Sequence, residues 1–257
     1  MRSLGVALAV VFVLGSSGSA QDGLYGSFLL GQKYVDLQPL NDKLTQLGYV
    51  GHDFPSSNWT FGGEGHLVLG THYMIGGKAF GIMHERAVTN SIDLSTSRLR
   101  VTGGLGLLTL GISLFGPNDF GLRLYPQVGL GASTFLFQKK DTLPLNSTFD
   151  SLYIPGRSDN MVSVGKAGWA VDVGAGIDWY KPFKNFFAII KGLDLGIMLH
   201  GEVGYTFVLG NLNWLRDVSM SSNDNLALAP DLKFGGFYWN VGIGIGLSPQ
   251  DDEDKKK

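Results

Sequence analysis

Between residues 121 and 137 the chain alternates. Leu122, Leu124, Val128, Leu130, Ala132 and Leu136 hold one parity, while Gly121, Arg123, Tyr125, Gln127, Gly129, Gly131 and Ser133 hold the other. A strand sends successive side chains to opposite faces, so a period of two predicts a greasy face backed by a polar or glycine one. Residues 193–209 repeat the pattern, with Leu195, Ile197, Leu199, Val203, Tyr205 and Phe207 against Asp194, Gly196, His200, Glu202 and Gly204. So do residues 163–180, where Trp169, Val171, Val173 and Ile177 oppose Lys166, Asp172, Gly174 and Asp178. A last strand sets Phe237, Trp239, Val241, Ile243, Ile245 and Leu247 against Asn240, Gly242, Gly244 and Gly246. Segments 23–35, 58–70, 73–84 and 97–115 complete a set of eight. The alternation slips near Gly76 and Leu107, which predicts bulges or a shifted frame. Pro126 removes a ladder donor for which a closed barrel has no free edge.

The connections point the same way. Longer ones (36–57, 85–96, 139–161, 210–233) alternate with shorter ones (71–72, 116–119, 181–191), the rhythm of a barrel with short periplasmic turns and long outer loops. The aromatics fall into two candidate girdles. Trp59, Phe61, Phe135, Phe137, Tyr205, Phe207, Phe237 and Trp239 lie near outer strand ends, and Tyr73, Phe115, Trp179 and Tyr180 near periplasmic ends.

Met1 to Ala20 carries an early Arg, an apolar run from Leu4 to Leu14 and small residues through Ala20, which predicts a secretory signal peptide cut before Gln21. The run is too short for a spanning helix, which needs about 20 apolar residues. The domain expectation is therefore a leader over 1–20, a barrel over 21–247 and a charged periplasmic tail over 248–257. Absence of cysteine excludes a lipoprotein anchor, disulfides and thiolate metal sites. Charged residues make up 16% of the chain and glycines number 38, a composition suited to lipid outside and crowding inside. A net charge of −2 gives no reason to expect nucleic acid.

On these strand and loop patterns the chain resembles the small eight-stranded outer-membrane barrels, such as the barrel domain of outer membrane protein A and outer membrane protein W. The run Gly242-Ile243-Gly244-Ile245-Gly246-Leu247 resembles their terminal signal for the barrel-assembly machinery, although it ends in Leu247 rather than Phe and is followed by a tail. The resemblance implies an all-β, eight-stranded antiparallel up-and-down transmembrane barrel in the cell outer membrane. Its implied partners are outer-membrane lipid and, during biogenesis, the assembly machinery. It fixes no oligomeric state.

The alternating frames place Glu64, Arg100, Arg123, Lys166, Asp172, Asp194 and Glu202 in the lumen, with His66 and His200 nearby in sequence. Charges in a narrow barrel must pair or be hydrated, so a salt-bridged plug is expected, with Arg123 and Lys166 facing acidic residues. A gated conduit and a catalytic cluster are the alternatives. The histidines, His52, His66, His72, His84 and His200, show no compact metal-binding spacing, and no metal or cofactor is expected. His200 and Glu202 share a strand face, but no nearby Ser completes a triad. The triplets at Asn58 and Asn146 match a glycosylation pattern that arises often by chance.

Two loops carry helical spacing. Pro39 opens a candidate helix with Leu40, Leu44 and Leu47 on one side and Gly48 at its end, either a packed loop or a lid over the outer mouth. Phe183, Phe186, Phe187 and Ile190 lie among lysines in the pattern of an interfacial helix. The expected function is a non-enzymatic structural or surface-interaction role. The alternatives are a narrow channel for small or apolar solutes, a lipid-modifying enzyme, and a soluble lipocalin-like binder whose greasy residues face inward.

Overall fold

The structure is a computed structural model, and it describes residues 23–51, 53–70, 72–92, 96–114, 121–141, 161–183, 193–209 and 232–249. The leader, the tail after residue 249, Phe115, the site at Asn146 and most of the 181–191 segment lie outside these residues.

Eight long strands follow the alternating segments: β1 (Gly23–Tyr34), β3 (Ser57–Leu69), β4 (Tyr73–Asn90), β5 (Thr96–Ile112), β6 (Leu122–Asp141), β7 (Met161–Pro182), β8 (Leu193–Leu209) and β9 (Gly236–Pro249). Between β1 and β3 lie a helix, α1 (Gln38–Gln46), and a two-residue strand, β2 (Tyr49–Val50), which pairs with the end of β4. Each long strand pairs antiparallel with its sequence neighbour, and β1 pairs with β9 from Leu24–Leu247 to Lys33–Tyr238, which closes the sheet into a barrel. Both strand termini therefore sit at one end, and α1 at the other.

The outer face is apolar on every strand. Phe28, Phe61, Ile75, Leu108, Leu130, Val173, Val203 and Ile243 are all exposed, each from a different strand. A soluble ligand-binding barrel has the opposite polarity. Of the proposed upper girdle, Trp59, Phe61, Tyr205, Phe207 and Phe237 do lie exposed on the outside. Phe135 instead turns inward and is 3% exposed, because it shares parity with Gln127 and Ser133, and Phe137 packs against the same inner cluster. At the other end Tyr73 and Trp179 are exposed, whereas Tyr180 packs edge-on against the buried Tyr25.

No bulge interrupts β4 or β5. Their pairing runs unbroken from Tyr73–Ile112 to Thr89–Thr96. The slip near Gly76 and Leu107 has another origin: Phe80, Ile82, Leu99, Val101, Leu105 and Leu107 are buried inside the barrel, so apolar residues occupy both parities. The same pairing turns most of the expected 85–96 loop into a hairpin that overshoots β1 and β3. Pro126 stands one residue past the last β5–β6 pair, Gly111–Gln127, while its β7 side stays in register opposite Ala175. Its missing donor falls where the β5 ladder runs out.

The loop end of the barrel is filled from above. α1 starts where Asp36 Oδ1 accepts from the Gln38 backbone N–H at 3.1 Å, with Pro39 in its first turn, and ends at Gly48, whose positive φ of 82° suits glycine. Its Leu40 and Leu44 join Val35, Leu37, Phe54 and Phe234 in one cluster with the inner faces of β4, β5 and β6. Leu47, expected on the same face, is exposed instead. Asn41 holds the returning chain by accepting from Phe54 N–H and donating to Phe54 C=O, both at 3.0 Å.

Candidate functional site: a layered lumen

Below the apolar cap the lumen is polar, and its hub is a residue the sequence pattern did not single out. Lys78 Nζ lies 2.9 Å from Asp172 Oδ2 and 2.9 Å from Glu202 Oε2, and it also donates to the Tyr238 hydroxyl. All three ionised side chains are at most 1% exposed. Their remaining acceptor atoms are met. Tyr238 donates to Asp172 Oδ2 (2.8 Å) and Thr206 to Asp172 Oδ1 (2.9 Å), while Gln127 donates to Glu202 Oε2 (2.8 Å) and Asn240 to Glu202 Oε1 (2.7 Å). Thr60 orients Asn240 by donating to its Oδ1 at 2.8 Å. A buried ion pair is tolerable only when its spare lone pairs are satisfied in this way.

A second cation seals the boundary with the cap. Lys33, fully buried, donates to Thr206 Oγ1 at 3.0 Å, and its ammonium sits 5.2–5.6 Å from the ring centres of Phe80, Phe234 and Tyr238. Aromatic faces attract a desolvated ammonium through their quadrupoles.

Toward the terminal end lies a histidine-carboxylate layer. His200 Nδ1 is 2.7 Å from Asp178 Oδ1 and 3.0 Å from Glu64 Oε1. His66 Nε2 faces Asp178 Oδ2 at 3.4 Å, close enough to attract but too poorly aligned to form a hydrogen bond. Ser27 Oγ donates to Glu64 Oε1 (3.0 Å), and the Tyr125 hydroxyl donates to Asp178 Oδ1 (3.2 Å). Beneath it Tyr25, Tyr125, Met74, Met198 and Val68 form a separate small core, with Tyr25 stacked on His66. Glycines seat these rings: a Cβ at Gly176 would collide with Tyr125, and one at Gly204 with Tyr238.

Of the seven charges expected in the lumen, Glu64, Asp172 and Glu202 enter these two layers. Arg123 is inward, 6% exposed and opposite the acidic Asp178 in register as expected, but its guanidinium lies over the Tyr25 ring at 5.3 Å and its Nε has no hydrogen-bond partner. Lys166 lies opposite the inward Phe135 near the loop end, and Asp194 opposite Ser248 near the terminal end, both away from the Lys78 hub. Arg100 is the correction. It lies on the outer side, where its Nη2 reaches Glu85 Oε2 at 2.7 Å with Arg98 beside it. The frame of β5 is opposite to that assumed, since Leu99 and Val101 take the inward parity. These charges stand on the hairpin above the apolar band, and the Arg100 hydrogen bond holds the Glu85 carboxyl below the usual carboxylate range. Asn58 is buried, and its amide donates to the Pro55 carbonyl at 2.9 Å, so it is no exposed glycosylation site.

A closed antiparallel barrel, greasy outside and polar within, defines a transmembrane β-barrel of the outer-membrane type. No protein-family model and no curated protein sequence matches the chain. Among solved structures it is similar to the attachment invasion locus protein Ail of Yersinia pestis, at 10% identity and TM-score 0.37, covering 89% of this chain and 99% of that one. It is also similar to the outer membrane protein OprG of Pseudomonas aeruginosa (11%, TM-score 0.37, 88% and 96%) and to the outer membrane protease OmpT of Escherichia coli (8%, TM-score 0.30, 91% and 99%). Identities this low transfer no residue role.

Proposed function

We propose that this chain is a plugged, non-conducting barrel of the outer membrane, with a structural or surface-interaction role exercised from its loop end. The carrying observation is the occupied lumen. Lys78 is bonded to groups on β7, β8 and β9 at once, and the Leu40–Leu44 face of α1 packs into the loop end. Eight strands enclose a space that side chains can fill completely. The apolar outer face takes lipid as its partner, and the β4–β5 hairpin with Glu85, Arg98 and Arg100 presents a polar surface beyond it.

Conductance is the direct test. The refolded chain in planar lipid bilayers is expected to be electrically silent across moderate voltages. Sustained single-channel steps from the unmodified protein would instead favour the narrow-channel reading.

A further inference from the structure

The histidine-carboxylate layer is more than part of the plug. Glu64, Asp178 and His200 hold one potential ligand atom each within 4.8 Å of one another. Among the described residues no Lys or Arg forms a salt bridge with either carboxylate, whereas the carboxylates of the neighbouring layer share Lys78. Two carboxyl oxygens, Glu64 Oε1 and Asp178 Oδ1, converge on the single nitrogen His200 Nδ1. One ring proton cannot serve both fully.

A second observation is independent of that triad. His66, 6% exposed, points Nε2 at Asp178 Oδ2 across 3.4 Å, and neither atom has a hydrogen-bond partner. Two buried polar atoms facing each other without a bond each carry a desolvation cost that a shared partner would remove. Donor atoms about 2.0–2.2 Å from a tetrahedral ion stand roughly 3.4 Å apart, so this gap already has the span that two ligands of one metal require. On the β3 side the cluster borders a small pocket lined by Glu64, His66, Gly65, Gly76, Gly77 and Gly111.

We propose that Glu64, His66, Asp178 and His200 form an intraluminal site for a divalent transition-metal ion, with zinc the best fit. Two imidazole nitrogens and two carboxylate oxygens make a mixed donor set that suits zinc and its neighbours better than the all-oxygen ligands calcium and magnesium prefer. The two carboxylates neutralise the ion's charge, a condition for holding it in a dry interior. The ion would tie β3, β7 and β8 together across the barrel. This inference is separate from the question of conductance, because a metal can sit in a plugged or an open lumen.

The test uses the full, untagged chain, refolded in detergent, stripped with a chelator and titrated with zinc, calcium and magnesium separately by calorimetry. Zinc is expected to bind at one equivalent and to raise the thermal midpoint, with calcium and magnesium producing neither effect. His66→Asn and His200→Asn are each expected to weaken zinc binding by about a hundredfold or more, beyond the loss typical of a supporting partner. His84→Asn, on the β4 hairpin, should leave it unchanged. Far-UV spectra and heat-modifiable gel migration establish that each variant is folded. Absence of one-equivalent zinc binding by the folded parent overturns the proposal. Equally, undiminished binding by a folded His66→Asn, His200→Asn double variant overturns it by placing the metal elsewhere.

Discussion

At the scale of single residues the lumen separates two kinds of buried cation. Lys78 is the cation shared by two carboxylates whose other hydrogen-bond partners are neutral, so Lys78→Met leaves Asp172 and Glu202 buried without that counter-charge. A loss of about 3–5 kcal/mol is expected, read as a lower urea midpoint for unfolding in detergent. Arg123 lies over a ring and forms no salt bridge among the described residues, so Arg123→Met should cost distinctly less. Equal losses for the two variants would contradict the hub drawn here. The sequence pattern points to Arg123 and passes over Lys78 for a physical reason. Arg123 sits in a strand whose other parity is cleanly apolar, which announces its inward orientation. Lys78 is followed by Phe80 and Ile82 on its own face, so its parity carries no contrast. The carboxylates Glu64, Asp172 and Glu202 were legible because each sits on a strand whose opposite parity is greasy: Phe61 and Leu67 beside Glu64, Val171 and Val173 beside Asp172, Val203 and Tyr205 beside Glu202. Which cation meets them depends on strands far away in sequence, and periodicity holds no information about that.

At the scale of elements, the greasy-out parity was legible in β6, β7, β8 and β9, and obscured in β4 and β5. Strands crossing both the polar lumen and its apolar cap change inward chemistry midway, and a period-two reading registers that change as a slip. α1 was legible from Pro39, its leucine spacing and Gly48. Its docking was not, since Asn41 meets Phe54 across a loop. Asn41→Leu keeps the helix but leaves the Phe54 N–H and C=O without these partners, a loss of about 1–3 kcal/mol. The loop end should then become more open to limited proteolysis between residues 36 and 56 while the barrel strands stay protected. Protection equal to the parent would show that α1 is held by its leucines alone. Gly204→Val drives a side chain into Tyr238 and should destabilise the barrel by about 1–3 kcal/mol through overpacking, again measured by urea unfolding.

At the scale of the whole molecule, the outer face sets the environment in which the fold persists. Leu130, Val173, Ile197 and Ile243 lie on the outer parity of four strands, and an Arg at any of them should cost about 2–4 kcal/mol if it lies near the bilayer midplane. Spin labels at these four sites are expected to be relaxed by oxygen and shielded from a polar agent in bilayers. Uniform access to the polar agent would argue against membrane burial.

The β1–β9 seam joins Leu24 to Leu247, residues at nearly opposite extremes of the sequence. Until the final strand has been synthesised, β1 has no partner on one side, and every partial sheet exposes two unsatisfied edges. Closing so long a loop is entropically slow, and contacts this distant along a chain lower folding rates. Barrel closure is thus tied to the presence of β9, and a chain cut before β9 would retain two sticky edges that invite pairing with other chains. The seam makes the last fourteen-residue strand a checkpoint: the geometry that leaves the finished barrel without an edge leaves every unfinished one with two.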